Sequence, residues 1–243
     1  MMTTNKLTKT FASGSLAIGV LAGVGIVSTP VNAANFGCNQ TVSFTNLFSG
    51  DEIICNTKRY FNFRDFSSIS NGATTPTLAD IAATVTNPSH GEYFIDFQSA
   101  LWSVGPGQSV DTDFKYDVEA LSGWITSVDQ ELVAADARDG GKLVILDTVT
   151  SPSDPSIFIT LNTEIDSSMT PPVVMPKDQK PVIPPQKILT NSKDIALVGG
   201  LGQAAMSDFR QSVHQTKVPE PGTILGLLAV GGLGLVSRLK RQK

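Results

Sequence analysis

In the stretch Val110–Glu119, VDTDFKYDVE, two kinds of residue alternate without a break. Val110, Thr112, Phe114, Tyr116 and Val118 share one parity; Asp111, Asp113, Lys115, Asp117 and Glu119 share the other. Successive side chains of a strand point to opposite faces, so the pattern describes a strand with one buried and one wet face. The stretch SIFITLNTEI repeats the logic, with Ile157, Ile159, Leu161 and Ile165 set against Thr160, Asn162 and Glu164. Arg59–Phe66, Glu92–Phe97 and Lys142–Val149 are further runs of β-branched and aromatic residues. Thr41–Phe48, Trp124–Val133, Lys193–Val198 and Met206–Val213 are weaker strand candidates, and Thr77–Thr84 predicts one short helix. DARDGGK, Asp136–Lys142, marks a turn between two strands. Short strands punctuated by Gly, Pro and Asp predict an all-β fold. An antiparallel β-sandwich of jelly-roll or immunoglobulin-like type is expected in preference to a closed barrel.

Residues 171–185, PPVVMPKDQKPVIPP, hold six prolines in 15 positions. Proline lacks a backbone donor, so the stretch should be extended and excluded from a central strand. It is expected as a loop, either a linker or a long crossover within one sandwich. The residues after it, 186–217, are too few to fold alone. Their strand-like pieces should therefore return to complete the sheets, giving one domain over 34–217.

The ends of the chain read differently. Lys6 and Lys9 precede an apolar run, Leu16–Val27, and Val31-Asn32-Ala33 offers a small-residue cleavage site. Residues 1–33 thus have the layout of a secretory signal peptide, which implies the Sec translocon and signal peptidase as partners. At the other end Ile224, Leu225, Leu227, Leu228, Val230, Leu233, Leu235 and Val236 lie in a run with no charged residue. The 17 uncharged residues from Pro221 to Ser237 would span roughly 25 Å as a helix, slightly short of a hydrocarbon core. Arg238, Lys240, Arg241 and Lys243 close it, and positive charge favours the cytoplasmic side. A marginal transmembrane helix follows, with the folded part outside.

Val218-Pro219-Glu220-Pro221-Gly222-Thr223, the Gly/Leu-rich run and Arg238-Leu239-Lys240-Arg241 together resemble a PEP-CTERM sorting signal. The resemblance covers residues 218–243 and implies an exosortase-type membrane protease-transferase that recognises Val218, Pro219, Glu220 and Pro221. It also implies an exopolysaccharide-producing bacterium, a transient inner-membrane anchor, and a final place at the cell surface or outside the cell. It says nothing of what the domain between the two ends binds. Glu220 is the only charged residue between Lys217 and Arg238, and its two flanking prolines keep the strip extended.

Between Ala34 and Pro219 there are 12 basic and 21 acidic residues, a net charge of −9. Such a surface disfavours nucleic acid and anionic lipid as partners. Cys38 and Cys55, the only cysteines, read as a disulfide in an exported chain, and they are too few for a structural zinc site. Only two histidines occur, His90 in turn-like sequence and His214 just ahead of the sorting signal, where exposure is expected. No G-x-S-x-G, H-E-x-x-H, Walker or dinucleotide motif is present. No cofactor and no metal are therefore expected. Asp111 and Asp113 share a strand face and could seed a calcium site, but strand alternation already accounts for them. Trp102, beside a turn in ALWSVGPGQ, and Trp124 could each pack against a sugar ring; burial in the core is the expected role of a sandwich tryptophan. The pattern favours an exported, non-enzymatic surface or matrix protein. A secreted carbohydrate-binding module recognising exopolysaccharide is the alternative, and a hydrolase using paired carboxylates ranks third.

Overall fold

A computed structural model describes residues 33–89 and 92–216. The expected signal peptide, His90 and the sorting segment from Val218 onward lie outside the described residues. The chain between them is almost entirely strand: β1 (Asn35–Phe36), β2 (Thr41–Ser43), β3 (Glu52–Cys55), β4 (Lys58–Asn71), β5 (Ala82–Ser89), β6 (Glu92–Gln98), β7 (Ser103–Val104) and β8 (Ser109–Ala120). There follow β9 (Ile125–Arg138), β10 (Lys142–Thr150), β11 (Phe158–Asp166), β12 (Val173–Met175), β13 (Lys177–Gln186), β14 (Ile188–Val198) and β15 (Gln203–Gln215). One short helix, α1 (Phe44–Phe48), interrupts them.

The strands form two sheets. The first runs β1-β3-β4-β8-β14-β10-β11-β12 and the second β13-β9-β15-β6-β5-β2, with β7 added beside β15. Every pairing is antiparallel except β1 with β3. The inner faces share one hydrophobic cluster, so the fold is a β-sandwich. In β8 the inward parity is Val110, Thr112, Phe114, Tyr116, Val118 and Ala120, all buried. The last two long strands sit inside the sheets: β14 lies between β8 and β10, and β15 between β9 and β6.

Three sequence expectations change. Thr77–Thr84 divides into a 3-10 turn over Leu78–Asp80, capped by Thr77 and Asp80, and the start of β5. Thr41–Phe48 divides into β2 and α1, because Phe44 and Leu47 turn into the core while Ser49 and Gly50 end the helix. The proline-rich stretch 171–185 is not a loop. It supplies β12 at one edge of the first sheet and β13 at one edge of the second. An edge strand leaves one row of backbone groups unpaired, so a missing proline N–H there costs little. Register with β9 holds as far as Pro181 and resumes only at Gln186.

Backbone-driven details fix the ends. β4 shifts register against β8 twice, between Phe61 and Arg64 and between Arg64 and Ser67, and Asn62 and Asp65 adopt positive φ there. Asparagine and aspartate tolerate that conformation best among non-glycine residues. Asp117 ties the bulge down, accepting from Asn62 Nδ2 at 2.6 Å, Arg64 at 3.0 Å and Thr190 Oγ1 at 2.7 Å. At the opposite end a Cβ on Gly199 would stand 1.8 Å from the carbonyl oxygen of Gly105, so only glycine fits. The Cys38–Cys55 disulfide, with Cα atoms 4.7 Å apart, fastens the segment between β1 and β2 to the end of β3.

Candidate functional site

β15 ends beside Trp124. Thr216 N donates to Trp124 O at 3.0 Å, and Trp124 N donates to Thr216 Oγ1 at 3.1 Å. The chain is therefore pinned at the last residue before the sorting segment. Trp124 stands immediately before β9, after a turn in which Gly123 takes φ 67°. It escapes the inward parity that buries Ile125 and is 49% exposed. Its indole, Pro185 and Thr216 line a shallow apolar pocket of about 260 Å³. The Lys187 ammonium lies 5.1 Å from the ring centroid, within cation–π range. An exposed indole backed by an apolar wall with a cation overhead can receive a ring-shaped or anionic group.

Trp102 does not share that site. It is fully buried, packed 5.6 Å from the Phe209 ring, with Nε1 donating toward Thr112 Oγ1 at 3.4 Å. Its carbonyl accepts from Met206 N at 2.8 Å, which draws the turn before β7 onto the core. No face of its indole remains for a sugar, so Trp102 is withdrawn as a glycan contact. Trp124 keeps the geometry such a contact requires.

Asp111 and Asp113 do share a face, and the structure adds Asp194, cross-strand partner of Asp113 in the β8–β14 pairing. One carboxylate oxygen from each comes within 4.8 Å of the others. The partner across the ladder could not be read from β8 alone. Asp113 is held above its ordinary pKa by partial burial and then by Asp111 and Asp194; Asp194 is raised by partial burial and by Asp111. Lys115 turns aside to Asp65 at 3.0 Å. The three acids repel one another on a solvated strand face, the arrangement that alternation by itself produces.

His214, expected at the surface, is half-buried and points back into the sheet. Its Nε2 lies 3.1 Å from Asp129 Oδ2 and 3.0 Å from Ser212 Oγ. The Asp129 hydrogen bond raises its pKa, against the opposing cost of burial. At the same end Lys58 is buried with no hydrogen-bond partner among the described residues, 5.7 Å from the Tyr93 ring centroid. Burial, with Lys187 nearby, lowers its pKa to about 7.

A second buried polar group lies at the middle of the sandwich and was not anticipated from the sequence. Asp147 on β10 and Lys193 on β14 face each other across the ladder with Nζ 3.0 Å from Oδ2 and no solvent exposure. Their inward parity was readable, since Ile145, Val149, Leu189 and Ile195 flank them on the same faces. A charged pair at those positions is the signal that alternation supplied.

Comparison with known proteins adds one firm result. The family description "PEP-CTERM protein-sorting motif" matches residues 217–242. The chain carries a PEP-CTERM sorting signal. The motif begins at the residue after Thr216, directly behind the strand end pinned by Trp124, and marks the protein for export through an exosortase pathway. No curated protein matches the chain. Among solved structures, a carbohydrate-binding module in complex with beta-1,4-galactotriose is similar at 14% identity and a TM-score of 0.29, over 60% of this chain and 86% of that one. Carbohydrate-binding modules from the beta-sandwich superfamily are similar at 11% identity and a TM-score of 0.24, over 62% of this chain and 55% of theirs.

Proposed function

We propose that the protein is a non-enzymatic component of the cell surface or extracellular matrix, an acidic β-sandwich delivered by its C-terminal signal. The sorting motif at 217–242 carries this reading. Residues 1–33 direct the chain to the Sec translocon and are removed by signal peptidase. The run from Ile224 to Val236 then holds it in the inner membrane, with Arg238, Lys240, Arg241 and Lys243 as the cytoplasmic stop. The exosortase recognises the strip Val218–Pro221 just outside the bilayer. Thr216 supports this role: its two hydrogen bonds to Trp124 hold the folded domain up to the edge of that strip. Intact-mass analysis of the extracellular fraction tests the proposal. The expected product lacks residues 1–33 and the basic tail, and the tail persists in a strain without the exosortase. A secreted form that keeps residues 222–243, and is the same in both strains, overturns it.

A second reading, a module that binds exopolysaccharide, is favoured by one observation, the exposed indole of Trp124 above Pro185. On a glycan array the wild type should retain an acidic or neutral polysaccharide that Trp124→Ala releases. Equal retention by both proteins removes Trp124 from consideration.

A further inference from the structure

Lys193 and Asp147 stand opposite each other on adjacent strands, both side chains wholly buried between the sheets. The facing sheet contributes two glutamines, Gln130 from β9 and Gln211 from β15. Each has its amide orientation fixed. Gln130 Nε2 donates to the Ile145 carbonyl at 3.0 Å and to Thr163 Oγ1 at 2.9 Å, which turns Gln130 Oε1 toward Lys193 Nζ at 2.6 Å. Tyr116 donates its hydroxyl proton to Gln211 Oε1. Gln211 Nε2 therefore faces the first sheet, donating to Asp147 Oδ2 at 2.7 Å and to Asn191 Oδ1 at 2.8 Å.

An ion pair does not fit this cage. An ammonium carries three N–H donors, yet among the described residues only Asp147 Oδ2 and Gln130 Oε1 accept them as hydrogen bonds, the third direction being left to the Phe209 ring, its centroid 5.7 Å from Nζ. A carboxylate has two oxygens to satisfy, and Asp147 Oδ1 is buried with no hydrogen bond among the described residues. Burying both charges costs more than such incomplete pairing returns. A secondary amide needs one acceptor for its N–H and one donor for its carbonyl. Gln130 Oε1 and Gln211 Nε2 are those two groups, already in place and already oriented.

We propose that Lys193 and Asp147 are joined by an intramolecular amide, an isopeptide bond between Nζ and Cγ. The ammonium first cedes a proton to the carboxylate, giving an amine and a carboxylic acid. Burial drives this transfer, lowering the Lys193 pKa and raising that of Asp147; their mutual attraction, the Gln211 contact and the Ser192 backbone N–H oppose it. The amine lone pair then attacks Cγ. The new C–N bond forms as one C–O bond breaks, and that oxygen departs as water with the acid's proton and one of the two amine protons. No oxidant, reductant or cofactor enters. The ladder holds the reacting groups in contact, so no encounter is needed. The product welds the centre of the first sheet, β10 to β14, and goes beyond the export reading, on which it does not depend.

A tryptic digest of the denatured, reduced full chain decides the matter. Cleavage at Lys142, Lys177, Lys187 and Arg210 should release a branched peptide joining residues 143–177 to 188–210, lighter than their sum by one water and uncut at Lys193. Lys193→Met should release 143–177 as a linear peptide, which locates the branch. Recovery of linear 143–177 with 188–193 and 194–210 from the wild type overturns the proposal.

Discussion

The space between the two sheets is filled in two contrasting ways. Toward β4, β6 and β8 it is aromatic: Phe97 lies 5.9 Å from Phe44, 5.2 Å from Phe114, 5.4 Å from Tyr116 and 5.1 Å from Phe209. Toward β9, β10 and β14 it holds a polar cage of Lys193, Asp147, Gln130, Gln211, Asn191 and Thr163, all buried. The aromatic side gains from surface removed from water and accepts many near-equivalent packings. The polar side gains little from burial but penalises any shift of register, since a slip of one residue would strand its donors. One half supplies adhesion between the layers and the other fixes their alignment.

Truncations should separate these roles. Phe97→Ala removes the ring on which four others converge and should cost about 3–5 kcal/mol, read as a fall in denaturation midpoint with an unchanged slope. Asp147→Ala should cost about 3–5 kcal/mol by removing the proposed amide and leaving the Lys193 amine buried without its partner, while Asp147→Leu with Lys193→Met recovers the polar part of that loss. If the double variant is as unstable as the single one, the loss comes from the missing link between β10 and β14 and not from the stray amine.

Lys58 sharpens the contrast, because it is a buried amine without a cage. The native pKa of about 7 lies below the ordinary 10.5, so between those values the unfolded chain binds more protons. Stability should then rise with pH across that window. Lys58→Met should flatten the rise and stabilise the protein at neutral pH by about 1–3 kcal/mol, checked by urea titration at several pH values. The smallest effect is expected at His214. Its pKa is raised by Asp129, so its contribution is complete below the unfolded value of 6.5 and lost as pH climbs through the folded one. His214→Gln should remove no more than about 1 kcal/mol, and only on the acid side.

These differences also explain what could be read in advance. β8 was legible because, within Val110–Glu119, the five inward residues are apolar, Thr or Tyr and the five outward ones are charged, so period and polarity agree. β10 and β14 were legible as strands, yet Asp147 and Lys193 look like ordinary surface residues until their parity is compared with Ile145 and Ile195. The helix at Phe44–Phe48 was hidden because its aromatic content reads equally well as strand; tertiary burial of Phe44 and Leu47 decides it. The proline-rich segment was rightly kept from a central position, but edge pairing depends on neighbours that no local signal reveals. The two tryptophans illustrate the same limit. Both sit beside turns, and only the packing of Phe209 against one and the lift of Gly123 under the other separates them. The sorting segment was legible for the opposite reason: its triplet, apolar run and basic end are local.

The placement of β14 and β15 has a consequence for biogenesis. Residues 188–215 follow every other strand in chain order, yet they occupy interior positions in both layers. A nascent chain emerging from the ribosome cannot close its core around an absent middle, so the two sheets stay open until β14 and β15 have been made. On the export route proposed above, delayed closure of this kind suits a passenger that crosses a membrane as an extended thread and acquires its shape on the far side.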